Sequence, residues 1–261
     1  MRIAVLIKQV PDTDEVKIDE TSGTLVREGT GTIINPLDLH ALESAFLLKR
    51  FNGASVSVFS MGPMQAETAL RESLALGADD AFLLSDPAFA GSDTWATARV
   101  LASALISFGP YDLVLAGEKA TDGETGQVGP EVAVMLGVPF STCVSSFNIS
   151  GGFANLVRTV EEGTESQRIP LPCLLTVLRD INEPSMPTLA GKMRARRSDI
   201  SKVDAATINI EHSSVGLTGS PTRVVKVFRP RVTRGAEHFD ADNIDKGVER
   251  FIEILKERSL L

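Results

Sequence analysis

Runs of consecutive apolar residues alternate with segments of helical periodicity over the first 140 residues of the chain. Unbroken apolar runs are typical of strands that are buried on both faces, and they predict strands at residues 2–7, 54–59, 81–84 and 112–116. Apolar residues that recur every three or four positions predict helices at residues 36–50, 63–76, 93–107 and 127–136. Strands and helices in alternation indicate an α/β fold with a doubly wound, mostly parallel, Rossmann-like sheet.

The pattern changes after Pro139. Strands are predicted at residues 141–149, 153–161 and 173–178, with a tight turn at Gly151 and Gly152. A small hairpin is predicted earlier, from residues 16–19 and 24–27. From about Ser198 the chain has few apolar residues until 243–255, where they share one face of a predicted helix. We therefore expect an α/β domain at residues 1–197 and, at residues 198–261, a C-terminal arm and helix that pack on another chain.

Composition limits the classes of protein that the chain can represent. Hydrophobic residues make up 43% and charged residues 23% of the sequence, as in globular domains, so disorder is excluded as the main state. A formal net charge of −8 weighs against a nucleic-acid partner. The two cysteines, Cys143 and Cys173, are too few for a disulfide framework, and no apolar run is long enough for a membrane span. We therefore expect a cytoplasmic protein.

Positive charge is concentrated late in the chain. Residues 191–235 contain ten Lys or Arg and three Asp or Glu, and residues 213–235 contain five basic residues and no acid. Such segregation indicates that this segment contacts an acidic surface. A solvated basic arm is the alternative interpretation.

The segment between the predicted strand at 112–116 and the helix at 127–136 carries the strongest chemical signal. It contains glycines at positions 117, 123, 126 and 129, and it leads directly into the helix. Glycine allows a close approach of the backbone to a ligand, and the N–H groups at a helix N-terminus favour an anion such as a phosphate. The start of the helix at 93–107, with Thr94 and Thr97, is a second candidate anion site. A plain surface loop and simple helix caps are the alternatives.

Other motifs that would define a chemistry are absent from the sequence. It has no phosphate loop of the G-x-x-x-x-G-K-[ST] type, and Ile34 occupies the third glycine position of the usual dinucleotide fingerprint. The three histidines, His40, His212 and His238, lack metal-ligand spacing, and no nucleophile elbow is present. The residues alone therefore indicate a nucleotide-binding α/β domain with no metal and no catalytic residue. Either a bound cofactor supplies the chemistry or the domain has none.

Several motifs, in their order along the chain, resemble the beta subunit of electron transfer flavoprotein. They lie at residues 4–12, 34–38, 61–63, 75–79 and 120–130, and they continue at 171–176, 182–184 and 219–222. The resemblance implies a heterodimer with an alpha subunit, which holds the electron-carrying FAD, and a second nucleotide in the beta subunit. That nucleotide is AMP in one branch of the family and, in electron-bifurcating members, an FAD that accepts hydride from NADH. Gly123 favours the bifurcating branch, because it leaves room where AMP-binding members commonly have a larger side chain.

The resemblance also implies which residues line the nucleotide pocket. By motif position, these cofactor-binding residues are Leu6, Lys8, Asn35, Pro36, Asp38, Met61, Thr94, Thr97, Gly117, Ala120, Thr121, Asp122, Gly123, Glu124, Thr125, Gly126, Gln127 and Val128. They hold the cofactor and tune its potential rather than act as acids or bases. Residues 182–197 resemble the recognition loop of the family. The exposed leucine of that loop docks partner dehydrogenases, such as an acyl-CoA dehydrogenase, and corresponds to Leu189.

Overall fold

A computed structural model describes residues 1–12, 31–225 and 237–261 of the chain. The described residues divide into two compact units, Met1–Arg223 and Val224–Leu261. The predicted hairpin at residues 16–19 and 24–27 lies outside the described residues.

The first half of the larger unit alternates strands and helices. Its strands are β1 (Arg2–Leu6), β2 (Gln9–Pro11), β3 (Thr32–Ile34), β4 (Ser55–Met61), β5 (Asp80–Leu84) and β6 (Leu113–Gly117). Its helices are α1 (Pro36–Asn52), α2 (Glu67–Leu76), α3 (Thr94–Phe108) and α4 (Val128–Leu136). Pro36 lies at the first helical position of α1, and glycines in the left-handed conformation follow α1 and α4.

The second half of this unit contains mainly strands. They are β7 (Phe140–Ser150), β8 (Phe153–Val160), β9 (Gly163–Pro170), β10 (Cys173–Val177) and β11 (Ser201–Val203), and two short helices are α5 (Leu189–Ala195) and α6 (Gly216–Gly219). Positive φ angles at Gly151 and Gly152 form the predicted tight turn between β7 and β8.

Nine strands form one sheet in the order β11-β5-β4-β1-β6-β10-β7-β8-β9. Pairing is parallel from β11 to β7, and β8 and β9 extend the sheet as an antiparallel meander. Strand β1 is the middle one of the seven parallel strands, and its Ile3 is opposite Val56 on one side and Leu113 on the other. This arrangement confirms the predicted doubly wound α/β fold.

The core has two layers, one on each face of the sheet. Ile3 and Val5 of β1 face α1 and α2, where they pack in one apolar cluster with residues such as Leu42 and Leu70. Ala4 and Leu6 face the opposite layer, which contains α3 and α4. Alternate residues of β1 therefore enter different clusters, and both faces of the strand are buried.

The chain reverses direction across the sheet next to β1. From β1 it proceeds to β4 and β5 on one side, and it then returns to β6 on the other side. Loops that follow β1 and β6 at their carboxyl ends therefore diverge, which leaves a crevice at this point in open α/β sheets. The glycine-rich segment after β6 begins at this crevice.

The larger unit ends later than the sequence pattern predicts. We place the domain boundary after residue 197 from the sequence, whereas the structure places it after Arg223. Strand β11 pairs with β5, and Ala205, Ile208 and Val215 are buried in the layer of α3 and α4. These apolar positions are too widely spaced to produce a periodic signal, which explains the difference.

Further elements that the sequence does not predict include β9 and α5. Strand β9 is polar on both faces, so it lacks the alternation that identifies a half-buried strand, although it pairs with β8 along eight residues. Helix α5 lies within residues 182–197, the segment that resembles the recognition loop, and the Thr188 hydroxyl accepts the Gly191 N–H as its cap.

The smaller unit contains the predicted C-terminal helix, α7 (Ile244–Glu257). Its apolar residues Ile244, Val248, Phe251 and Ile252 are exposed, and Arg250 lies close to three glutamates. Within the described parts of the chain, no helix combines the length and apolar character needed to cross a membrane. The packing of residues 198–261 on another chain remains a prediction.

Candidate functional site

The predicted site residues gather at one edge of the sheet. Leu6 ends β1, Met61 ends β4 and Gly117 ends β6. The next backbone N–H, that of Glu118, donates to the Val177 carbonyl oxygen at the end of β10. Because these strands are parallel, their carboxyl ends lie on the side where ligands bind in such sheets.

Asp38, in the first turn of α1, connects the carboxyl ends of β1 and β6. Its carboxylate accepts the backbone N–H of Lys8 at 2.8 Å and that of Gly117 at 3.1 Å. The carboxyl group is buried, and this burial raises the pKa of Asp38 to about 7 despite these hydrogen bonds. Asp38 therefore acts as an internal connection between β1, β6 and α1.

Asn35 fixes the start of the glycine-rich segment. Its fully buried amide donates to the Lys119 carbonyl oxygen at 2.9 Å and accepts the Thr121 N–H at 3.1 Å. Asn35 directly precedes α1, but its side chain makes no capping hydrogen bond there. The amide instead connects Asn35, which precedes the exposed Pro36, to a loop more than 80 residues away in sequence.

The glycines of this segment have different structural roles. A Cβ at Gly117 would lie 2.5 Å from Asp38 Oδ1 and 2.7 Å from the carbonyl carbon of Leu37, so this glycine permits close packing against α1. At Gly123 a Cβ would meet nothing within 4 Å. Gly126 has a φ of +64°, which favours glycine. The backbone therefore leaves space for a ligand at Gly123 and not at Gly117.

The tip of the segment is an exposed turn with paired charges. The backbone N–H groups of Gly123 and Glu124 donate to the Ala120 carbonyl oxygen at 3.3 and 2.8 Å. Lys8 Nζ lies 2.7 Å from both carboxylate oxygens of Asp122. An exposed ion pair of this kind stabilises the fold little, so the lysine can exchange its partner for an anionic ligand at small cost.

The second candidate anion site joins the end of the same segment. The Thr94 hydroxyl, at the start of α3, lies 3.3 Å from Gln127 Oε1 and 3.2 Å from Glu131 Oε1. Gln127 immediately precedes α4, so the N-terminal ends of two helices meet here. The partial positive charges of the two helix N-termini favour an anion at this corner.

Glu131 was not identified from the sequence. Its Oε2 atom is buried and lacks a hydrogen-bond partner within the described residues. Burial raises the pKa of Glu131, and the nearby Asp93 carboxylate raises it further, while the Thr94 hydroxyl lowers it. Contact between residues of two different helices leaves no local pattern in the sequence, so nothing there identifies this group.

Asp93 has a structural role beside this corner. One carboxylate oxygen accepts the Ala96 N–H at 3.0 Å and caps α3. The other accepts the backbone N–H of Thr222 at 2.9 Å and its hydroxyl at 2.8 Å. Burial opposes ionisation, but these hydrogen bonds lower the pKa of Asp93, which stays charged and holds residues 220–222 against α3.

The remaining predicted residues lie at or near the crevice with fewer contacts. Leu6 is buried in the apolar layer beneath it, and Met61 is half-buried at the adjacent strand end. Thr97 is half-buried one turn into α3, Thr125 is exposed at the loop tip, and Val128 is half-buried at the start of α4. Among the described residues, no group of three His, Cys, Asp or Glu could hold a metal ion.

Residues 182–197 form a separate feature that α5 organises against α2. The Arg194 guanidinium donates to the Leu74 carbonyl oxygen at 2.7 Å, and Arg71 donates to the Ala195 carbonyl oxygen at 2.6 Å. Leu189, at the start of α5, is 77% exposed, and Met186 and Met193 are also exposed. Exposed apolar side chains on an anchored helix are typical of a docking surface.

Comparison with known proteins gives consistent matches. The family model described as "Electron transfer flavoprotein domain" matches residues 22–208. Electron transfer flavoprotein subunit beta of Thermoanaerobacterium thermosaccharolyticum is 44% identical over 262 residues, which covers all of both chains. Subunit CarD of the caffeyl-CoA reductase–Etf complex of Acetobacterium woodii is 42% identical, also over both full lengths. Protein FixA of Sinorhizobium fredii is 40% identical over 95% of this chain and 90% of the relative.

Proposed function

Because the chain belongs to the electron transfer flavoprotein family, as a beta subunit, we propose that its crevice binds FAD and that this flavin accepts hydride from NADH. The observation that carries the proposal is the open turn around Gly123, which lies between two anchored ends. Asn35 fixes the start of the segment, and Thr94 contacts its end at Gln127. A ligand can therefore lie along the crevice from α1 to the starts of α3 and α4.

The extent of this anion-binding surface supports FAD over AMP. Lys8 and the exposed turn at 121–125 can bind one phosphate and a ribose. The corner formed by the starts of α3 and α4 can serve a second phosphate, which AMP does not have. The open space at Gly123 leaves room for the rest of a larger nucleotide. Full-length similarity to a subunit of the caffeyl-CoA reductase–Etf complex agrees with this proposal.

The residues of the crevice would bind and orient the cofactor rather than react with it. When bound, the flavin supplies hydride and single-electron transfer. Asn35 and Asp38 would hold the backbone of the pocket, and Lys8 would balance ligand charge. Gln127, which the Thr94 hydroxyl contacts, would hydrogen-bond a phosphate. None of them needs to transfer a proton.

Beta-subunit membership implies an alpha-subunit partner. We assign the exposed apolar face of α7 and the basic arm after residue 198 to contacts with that subunit. Leu189 and its neighbouring methionines would dock a dehydrogenase, such as an acyl-CoA dehydrogenase, while Lys192, Arg194, Arg196 and Arg197 attract acidic partners. A cytoplasmic location is part of the same proposal.

A second candidate function is a non-bifurcating electron carrier in which this subunit holds a structural AMP. One observation favours it. The Asp93 carboxylate already caps α3, so a second phosphate at this corner would approach a fixed negative charge.

Anaerobic titration of the purified heterodimer with NADH, followed by flavin absorption, distinguishes the two functions. We expect NADH to reduce the native complex. In a Gly123→Asp complex that retains the alpha-subunit FAD, we expect this reduction to be lost. If NADH reduces both complexes equally, or neither, the beta subunit does not hold the NADH-oxidising flavin.

A further inference from the structure

One hydroxyl group lies between two acceptors at the corner of α3 and α4. Thr94 Oγ1 is 3.2 Å from Glu131 Oε1 and 3.3 Å from Gln127 Oε1. A hydroxyl carries one proton, so it cannot donate to both oxygens. Both contacts become hydrogen bonds if the Glu131 carboxyl carries a proton and donates it to Thr94, while Thr94 donates to Gln127.

The surroundings of Glu131 favour this protonated state. Helix α4 contains no other charged residue, and neither do strands β7 and β10, which pack against it. From α3 and its cap, the charged groups are Asp93 and Arg99, and the Arg99 guanidinium lies over the Trp95 ring at 5.9 Å. The Glu131 carboxyl therefore has a like charge nearby, and no cation contacts it in the described structure.

We propose that Glu131 is a positioning residue. Through Thr94, it determines whether the NH₂ group or the oxygen of the Gln127 amide faces a bound nucleotide. This inference rests on the proposed function. With Glu131 protonated, Gln127 Oε1 accepts from Thr94, and its NH₂ group is available to donate to a phosphate. With Glu131 ionised, the Thr94 hydroxyl donates to the carboxylate. Gln127 then turns its NH₂ group toward Thr94 and presents its oxygen, which repels an anion.

The test measures nucleotide affinity against pH. FAD and, separately, AMP are titrated by calorimetry into heterodimer from which the beta-subunit nucleotide has been removed, between about pH 5 and about pH 9. We expect the affinity of the native complex to fall about tenfold with rising pH, which corresponds to one lost charge-assisted hydrogen bond. In Glu131→Gln the side chain donates to Thr94 at every pH, so this tenfold fall should be absent.

Matched variants separate this role from a general structural one. Glu72→Gln makes the same change on the exposed surface of α2, and its pH curve should follow the native curve. In a Thr94→Val background the connection is broken, so Glu131→Gln should have no further effect, whereas Thr94→Ser should retain it. Asp38 is present in native and variant complexes alike, so its own titration cancels in the comparison.

Two results would overturn the inference. If native and Glu131→Gln complexes have the same pH dependence, Glu131 does not control Gln127, and the proposed cofactor function is unaffected. If neither FAD nor AMP binds at any pH, both the inference and the proposed function fail.

Discussion

The buried carboxylate of Asp38 accepts the backbone N–H of Gly117 at 3.1 Å, across 79 positions of sequence. The same carboxylate accepts the N–H of Lys8, so one side chain holds the ends of two neighbouring strands against the start of a helix. Because the crevice opens between these strand ends, its shape depends on this group.

Asp38 should make stability depend on pH. Its pKa rises from 3.8 to about 7 on folding, so the folded state binds the proton more tightly than the unfolded state. The resulting stabilisation is fully present below pH 3.8 and is lost as the pH rises through about 7. Between these pH values we expect the free energy of unfolding of the native heterodimer to fall by roughly 2–4 kcal/mol relative to that of Asp38→Asn. Urea denaturation of both heterodimers across this range checks the difference, and parallel curves would contradict it.

Gly117→Ala should destabilise the protein, because the new Cβ would collide with Asp38 Oδ1 and with the backbone of Leu37. Overpacking of this kind costs about 1–3 kcal/mol. Gly123→Ala is the matched control, since its Cβ meets nothing within 4 Å, and we expect a change within about 0.5 kcal/mol. Denaturation midpoints of the two heterodimers measure both effects. Equal midpoints would show that Gly117 is not packed against α1.

Gly123→Asp should remove the nucleotide of the beta subunit and leave the alpha-subunit FAD in place. The substitution adds a carboxylate between Asp122 and Glu124, where the proposed ligand carries negative charge. Nucleotide content after denaturation, compared with that of Gly123→Ala, reports the loss. Retention of both nucleotides would mean that the turn does not contact the ligand.

Leu189→Ala should weaken electron transfer with a partner dehydrogenase without changing stability, since the side chain is largely exposed. Loss of an apolar anchor at an interface typically costs about 1–3 kcal/mol, or roughly a fivefold to 150-fold rise in KM for the dehydrogenase. Ile106→Ala, an exposed apolar residue on α3, should leave that KM unchanged. An equal effect of both variants would exclude a specific role for Leu189.

The parts of the fold that the sequence predicts are those with a local signal. Strands β1, β4 and β6 are recognisable because burial on both faces demands continuous apolar residues. Strand β9 and the segment that contains β11 are not, because few of their residues enter the core. The position of β11 depends on pairing with the distant strand β5, and that of β9 depends on pairing with β8. Periodicity encodes neither pairing.

The candidate site is also predictable from the sequence only in part. Glycines before a helix identify the segment after β6, but they do not reveal that Gly117 serves packing and Gly123 faces open space. Asn35 has the residue type of a helix cap, yet its amide connects to Lys119 and Thr121. These assignments depend on contacts between residues far apart in sequence, so they require the folded structure.

The nucleotide content of freshly purified heterodimer tests the central claim most directly. The protein is denatured without added cofactor, and the released nucleotides are separated and quantified by mass spectrometry against protein concentration. We predict two FAD per heterodimer, one of them lost in Gly123→Asp. One FAD with one AMP would contradict FAD binding by this subunit, and one FAD with no second nucleotide would contradict the nucleotide site altogether.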